Sequence, residues 1–472
     1  MFKKVFLKTS YYFLPSVFKI LSFFVTVPLI SYYFNPQDLG IFYVLISFLL
    51  ILGPLSNIGI EWAFQSKYYK LSKEKVKIFF FNAVLIDLTL RIFWSVITFA
   101  LFSNFGHYFL EQFNPVYNIY LTLILLSFIV NFLWICLSQV LILEKKAKDF
   151  AIIESLRVIV FIIILLILLV SLDIGFISLF LSPLITNIII FFIEVMYVKN
   201  VIKIQMDKKI LLSIFKFGLP VLPTSLVEMS QGFVDKFVIQ KFLGFYQTGI
   251  YGHSQSYMNL FTQCVKAVLR VISPVLIKNI SKKNFKNVNE LNELNTLFYK
   301  LTLFLGLFVI FSSEYLISWF TFNKFTESAS LVNIWYSVIF VSFFSNTTLS
   351  ILIVKKLTKF IMHTSVHLTL IMFVLLFYFA KYMSIEGIVY IIVFKRFFVA
   401  VIRFYKVKDF INRSYFFTFI AYFILFSSVA YLNNEFMINV FVKIGLIIVS
   451  GVDCLMDFNK KSKIMKFLQK NV

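Results

Sequence analysis

Charge is scarce in this 472-residue chain, and acidic charge is scarcest: 22 Asp and Glu stand against 45 Lys and Arg, and together the four types make up 14%. With 60% apolar residues and a mean hydropathy of +0.90, that composition excludes a soluble domain. Cysteine is nearly absent. Cys136, Cys264 and Cys454 each lie inside an apolar run, with no disulfide or metal-ligand spacing. Walker A, GxSxG and HExxH sequences are missing, so no ATP hydrolysis, nucleophilic serine or zinc helix is expected. Long polar segments are missing too. The largest connections on one side, near 103–116 and 318–330, leave no room for an independent catalytic domain. A cleavable leader is also not read here: Lys3, Lys4 and Lys8 run directly into a full-length apolar stretch, taken as an uncleaved first span.

What is present is a series of apolar runs, many near the roughly 20 residues that cross a bilayer. Fourteen candidate spans can be drawn: 9–31, 40–63, 79–102, 117–139, 150–171, 176–198, 217–240, 248–277, 295–317, 331–354, 361–382, 386–405, 415–432 and 436–456. In hydrocarbon every backbone group needs an internal partner, so the spans are expected to be helices. Alternate connections carry the cations. One set, with both tails, holds thirty-one, including Lys67–Lys77, Lys199–Lys216 and Lys460–Lys470. The other set holds only Lys241, Lys324 and Lys381. The positive-inside rule places both termini in the cytoplasm. It also accounts for the net charge of +23 without nucleic acid.

Two stretches punctuate the apolar chain in the same way: NPQDLGIFYV from Asn35 and LGFYQTGIYG from Leu243. Aligning Gly40 with Gly249 sets Ile41 on Ile250 and Phe42 on Tyr251, and brings Pro15 within one residue of Pro223. Both read as polar loops between consecutive spans on the non-cytoplasmic side. Six spans separate them, so the repeat has parallel topology, a transporter architecture. The expected organisation is an N-terminal six-helix bundle over 1–199, a second over 200–405, and two further helices with a basic tail over 406–472.

Ionisable groups at membrane depth are costly and mark cavities or partners. Span 7 carries Thr224, Glu228, Gln231 and Asp235 on one helical face; span 8 carries Gln255, Asn259, Gln263, Lys266 and Arg270 on one face. The repeat sets Glu228 on Lys19, Asp235 on Thr26, Lys266 on Asn57 and Arg270 on Glu61. These residues are expected to line a hydrated cavity, or to bridge helices by ion pairs such as Lys19 or Lys266 with Glu228 or Glu61. Asp87 and Arg91 are expected to pair with each other at i,i+4. Glu154 and Arg157 read as interfacial; one of Lys395 and Arg396 is a further cavity candidate. His363 and His367 have metal-compatible spacing but no third ligand nearby, so no metal is expected.

The segment FKFGLPVLPTSLVEMSQGFVDKFVIQKFLGFYQTGIYGHSQSYMNLF, followed by RVISPVLIKNISKK, resembles the central region of Wzx-type O-antigen flippases, in the polysaccharide-transport branch of the MATE-like superfamily. The shared elements are Gly218 and Pro220, Asp235, Gly244 to Tyr251, and Pro274; NPQDLGIFYV is similar to the family's first periplasmic loop. The resemblance implies an all-α inner-membrane protein that flips undecaprenyl-pyrophosphate-linked oligosaccharide by alternating access, using no cofactor and no catalytic residue. Its expected partners are the polyprenyl-linked substrate, membrane lipids and glycan polymerase or chain-length machinery.

Within that reading, Lys19, Asn57, Gln255, Asn259, Gln263, Lys266, Arg270, Lys395 and Arg396 are candidates for phosphate and glycan contact. Glu61, Glu228 and Asp235 are candidates for ion coupling. A MATE-like exporter of small cations and a membrane glycan polymerase or ligase stay open as alternatives. The cations argue against the exporter. The short outer loops, with only His107, Glu111, Glu327 and Glu386, argue against the enzyme.

Overall fold

The computed structural model describes the backbone of residues 2–451 except 69–70, 111–112, 145, 200, 221, 282–284, 356, 409–410, 412, 437–442 and 444. Side chains at 1–10, 12–13, 62, 65–67, 109, 217, 264, 266–295, 297–298, 354, 358, 414 and 435–436 also lie outside the description. Among the described residues the chain is helical, with sixteen α-helices and no strand. Ten segments are long and apolar enough to cross a membrane, so this is a multi-pass membrane protein. The expected spans 217–240, from Leu222 on, 248–277 and 386–405 are helical as well, inside α11 (Leu222–Ser281) and α15 (Ile385–Val407). They carry the charges singled out above, which lower their hydropathy. α15 has 23 residues, about 34 Å at 1.5 Å per residue, enough for a hydrocarbon layer of about 30 Å. The expected span 436–456 falls mostly outside the described residues.

The chain divides into two compact units, Met1–Gly249 and Ile250–Val472. In the first, α1 (Phe2–Tyr33) packs along α8 (Ala147–Leu166), and α9 (Ser178–Val198) packs on α6 (Val116–Val130) and α8. The second span is broken twice, into α2 (Pro36–Ser47), α3 (Leu49–Asn57) and α4 (Ile60–Lys67). α3 lies on α5 (Lys73–Phe109) and α4 on α7 (Phe132–Leu143). The short amphipathic α10 (Lys208–Gly218) belongs here too: Ile214 is buried with Ile60, Phe80 and Leu137. The link before α10 is fastened to α5 by Asn82. Its Nδ2 donates to the Gln205 carbonyl at 2.9 Å, and its Oδ1 accepts from the Asp207 amide at 3.0 Å. Contacts therefore carry the first unit beyond the position 199 where the repeat suggests a boundary.

In the second unit α13 (Ser328–Val354) is central. Its membrane window is 72% buried, whereas the other candidate spans reach at most 44%. It packs on α12 (Phe285–Thr321), α15 and α16 (Arg413–Phe436), and α14 (Thr358–Phe379) packs on α15. Aromatic stacking fills the seams: Phe344 lies on Phe419 at 4.2 Å between centroids and Phe404 on Phe416 at 3.9 Å, favourable beyond the area they bury.

The two punctuated stretches correct the expectation of polar loops. α2 begins at Pro36, directly after Asn35, which is extended (φ −97°, ψ 172°) and closes a capping box with Asp38. LGFYQTGIYG is helical except at Gly244 (φ 84°, ψ 178°), a conformation open to glycine. Asn35 and Gly244 occupy equivalent positions at the repeat's offset, so the helix breaks at the same place in each copy. The glycines that set the register make reciprocal contacts. A β-carbon on Gly40 would overlap the Phe245 carbonyl oxygen, and one on Gly249 would overlap the Pro36 carbonyl oxygen. Pro36 and Phe245 are themselves equivalent. Each copy thus rests its glycine on the other's helix start, as a self-complementary two-fold contact requires.

Gly40→Ala and Gly249→Ala are expected to destabilise the protein by about 1–3 kcal/mol each through overpacking. Gly53→Ala, in α3 with open space around it, is expected to stabilise by about 0.5–1 kcal/mol. Thermal unfolding in detergent reads the opposite signs.

Candidate functional site

The interior of the first unit concentrates charge. Arg157 of α8 donates through Nη2 to Glu194 Oε1 of α9 at 2.6 Å. Its Nη1 reaches Asn131 Oδ1 at 2.6 Å and Asn187 Oδ1 at 3.0 Å. Asn187 in turn donates to Ser127 Oγ at 2.9 Å, and the guanidinium lies 5.0 Å from the Trp134 ring. Asn131 is the residue between α6 and α7 (φ −79°, ψ 19°), so this network spans a helix break and two further helices. The pair is buried within the protein: the Arg157 side chain is 18% exposed and that of Glu194 2%. Sequence reasoning missed Glu194 altogether, because its partner is 37 residues away and no period on α9 marks it.

Lys19 of α1 pairs with Glu154 of α8 at 2.7 Å. That is a partner other than the Glu228 or Glu61 envisaged from sequence, and Arg157 attracts the same carboxylate. Asp87 and Arg91 pair within α5 as expected, Nε to Oδ2 at 2.7 Å and fully buried. Arg91 also donates to the Phe128 carbonyl and covers the Phe128 ring at 4.3 Å. One helix interior thus braces its neighbour through a single guanidinium.

Asn57 and Glu61 flank the break between α3 and α4. There Ile58 (φ 36°, ψ 45°) and Gly59 (φ 66°, ψ 21°) are both left-handed. A β-branched residue with positive φ is an outlier costing about 1–3 kcal/mol, held only where its surroundings impose it. Gly218 at the end of α10 packs against this break: a β-carbon there would collide with the Ile58 carbonyl oxygen.

The remaining candidates divide by unit. Asp235 is buried beside Lys236, whose Nζ donates to the Gly232 carbonyl at 3.2 Å; Glu228 is exposed. In the second unit Gln255 donates to Tyr251 Oη at 2.9 Å, and Tyr251 lies 5.9 Å from Trp335. Trp335 donates to Ser254 Oγ at 3.2 Å, and Arg396 sits 6.0 Å from its ring. Gln255 and Arg396 are thus brought to one aromatic pair. Lys395 and Gln263 are half-buried and Asn259 is exposed. The Lys266 and Arg270 side chains lie outside the described residues. A cavity of about 330 Å³ in the first unit is lined by Phe48, Leu52, Trp94, Leu101, Phe233 and Phe237 among others. It holds no charged group and is no site for a polar headgroup.

Residues 33–330 match a family described as polysaccharide biosynthesis protein. No curated protein matches the chain. Among solved structures it is similar to the lipid II flippase MurJ in its inward closed conformation, with TM-score 0.71 and 20% identity over 98% of this chain and 99% of that one. It is also similar to an inward-facing multidrug resistance MATE transporter of the MOP superfamily (TM-score 0.62, 12% identity, 85% of this chain and 94% of that one). A MOP superfamily transporter from Pyrococcus furiosus gives TM-score 0.54 at 14% identity, over 85% and 95%. At these identities the likeness establishes the fold.

Glu194→Leu strands the Arg157 charge and is expected to cost about 3–5 kcal/mol. Lys19→Met removes a half-exposed partner and is expected to cost about 1 kcal/mol or less. Unfolding midpoints of the two variants in one detergent check the order.

Proposed function

The chain belongs to the polysaccharide biosynthesis protein family, and from that premise we propose that it flips an undecaprenyl-pyrophosphate-linked oligosaccharide, an O-antigen or similar repeat unit, from the cytoplasmic to the periplasmic leaflet of the bacterial inner membrane. The family match over 33–330 carries the reading, and the fold shared with a protein named as a lipid II flippase supports it. The chemistry is movement, not bond-making: the chain acts as a transporter and no covalent step is assigned to it.

A glycan headgroup cannot enter hydrocarbon, so the protein must offer polar surface while the lipid tail stays in the bilayer. Cations in a low-dielectric setting meet a pyrophosphate strongly through charge-assisted hydrogen bonds. Arg396, held beside Trp335, and its neighbour Lys395 are proposed for that contact in the second unit, together with Lys266 and Arg270; Gln255, Gln263, Asn259 and Asn57 supply neutral glycan partners. Lys19 is proposed as a first-unit cation that exchanges Glu154 for phosphate. Alternating access follows the expectation for parallel repeats. Glu61, Glu228 and Asp235 remain the proposed ion-coupling carboxylates. Downstream, a glycan polymerase would take the delivered unit.

The rival reading is a small-molecule exporter, favoured by the same fold likeness to multidrug transporters. A deletion strain separates the two. Loss of surface glycan, accumulation of the lipid-linked unit and unchanged drug susceptibility are expected for the flippase. Re-expressed Arg396→Ala, checked for membrane abundance, is expected to restore less than a tenth of the surface glycan. Intact glycan with raised drug sensitivity would point to the exporter.

A further inference from the structure

The short helix α10 lies between the ends of two membrane helices. α9 stops at Val198, and α11 starts at Leu222, with only 219–221 between it and α10. α10 and the link before it are therefore held at the membrane boundary. The inner face of α10 is spent on the protein: Ile210, Leu211, Ile214 and Phe215 pack into the core of the first unit, where α10 meets α4 and α5.

The outer face is a mixture of lysine and bare hydrocarbon. Lys208, Lys209, Leu212, Lys216 and Leu219 are exposed along it, and Ile204 and Met206 of the link join them. Ile204, 80% exposed, is the most exposed large apolar side chain described; Leu212 stands at 69% and Met206 at 66%. Such exposure is ordinary in the middle of a lipid-facing helix. In a lysine-rich connection it leaves apolar surface in water, which is unfavourable.

The charges of this face are one-sided. The start of α5 runs beside the link: the Lys203 amide donates to the Lys77 carbonyl at 3.3 Å, and Lys203 Nζ donates to Glu74 Oε1. That brings the exposed Lys73 and Lys75 to the same surface. Both nearby acids are committed. Glu74 takes Lys203, and Asp207 caps α10, accepting from the Lys209 and Ile210 amides at 2.8 and 3.2 Å. Lys73, Lys75, Lys208, Lys209 and Lys216 form no ion pair with a described residue. Lys208 and Lys209 also occupy the first turn of α10, where the helix dipole disfavours cations, so they do not serve the helix's own stability.

We propose that the outer face of α10, with the link before it and the start of α5, binds the headgroups of anionic phospholipids. The lysines meet the phosphates, and Ile204, Met206, Leu212 and Leu219 enter the acyl boundary beneath them. Basic side chains set among apolar ones at a membrane surface match that layer in both charge and polarity. Lysine stems lie along hydrocarbon while their ammonium groups stay at headgroup level. A soluble acidic partner would answer the lysines but leave the apolar side chains and the boundary position without a use. The inference does not depend on what the chain transports.

The test uses the full-length protein in neutral detergent at fixed pH and ionic strength, with no substrate. Phosphatidylglycerol or phosphatidylcholine with the same acyl chains is added to the micelles, and glycerol phosphate serves as a soluble arm. A ligand that binds only the folded state raises the melting temperature in a saturable way. The expected result is a saturable rise with phosphatidylglycerol, a much weaker one with phosphatidylcholine and none with glycerol phosphate. The combined variant Lys208→Gln, Lys209→Gln and Lys216→Gln alters exposed side chains only, and is expected to raise the half-saturating lipid fraction by about tenfold or more. Lys355→Gln, Lys359→Gln and Lys406→Gln together remove the same charge from exposed positions of the second unit and are expected to leave it unchanged. Equal responses to the two lipids would overturn the site. So would equal losses in the two triple variants, which would make the attraction diffuse, and so would a full response to glycerol phosphate, which would assign the lysines to a soluble anion.

Discussion

A charge buried in a membrane protein must find its opposite close by, and the first unit is arranged around that demand. Removing a charge from water costs several kcal/mol even after relaxation. Arg157 could not lie where it does without Glu194, Asn131 and Asn187 around it. The same guanidinium therefore fixes α8 against α9 and steadies the break at Asn131. Arg91 performs the equivalent service for α5 and the Phe128 carbonyl. Helix positions follow from neutralisation as much as from apolar packing, because lipid competes poorly for charge and well for leucine.

Breaks are the second organising feature. The interruptions at Asn35, Ile58–Gly59, Asn131 and Gly244 each sit beside a polar or glycine contact. At Gly40 and Gly249 the absence of a side chain lets backbone meet backbone. At Gly218 it lets α10 close on Ile58, which holds a left-handed conformation that the sequence of α3 and α4 would not choose.

Much of this was legible beforehand. Apolar runs marked the helices, and the i,i+4 spacing of Asp87 and Arg91 announced their pairing. The offset that matched NPQDLGIFYV to LGFYQTGIYG found the register of the reciprocal glycines, although both stretches were read as loops. Glycine and tyrosine look like loop residues in sequence; here a single glycine, in an extended positive-φ conformation nearly reserved for glycine, makes the break and helix continues on both sides. The partners of Lys19 and Arg157 were not legible, because such pairs join distant helices and leave no period on either one. Spans carrying the most polar stripes also fall short on hydropathy, since the charges that suggest function dilute the signal that identifies a span.

The central claim is that this chain moves a lipid-linked glycan between leaflets. Purified protein in sealed liposomes, loaded with a fluorescent polyprenyl-pyrophosphate oligosaccharide, measures it directly by the fraction of headgroup that becomes accessible to an enzyme on the opposite side. The account predicts transfer well above protein-free liposomes, diminished in Arg396→Ala. Transfer equal to protein-free liposomes, from protein shown to be folded and correctly inserted, would contradict it.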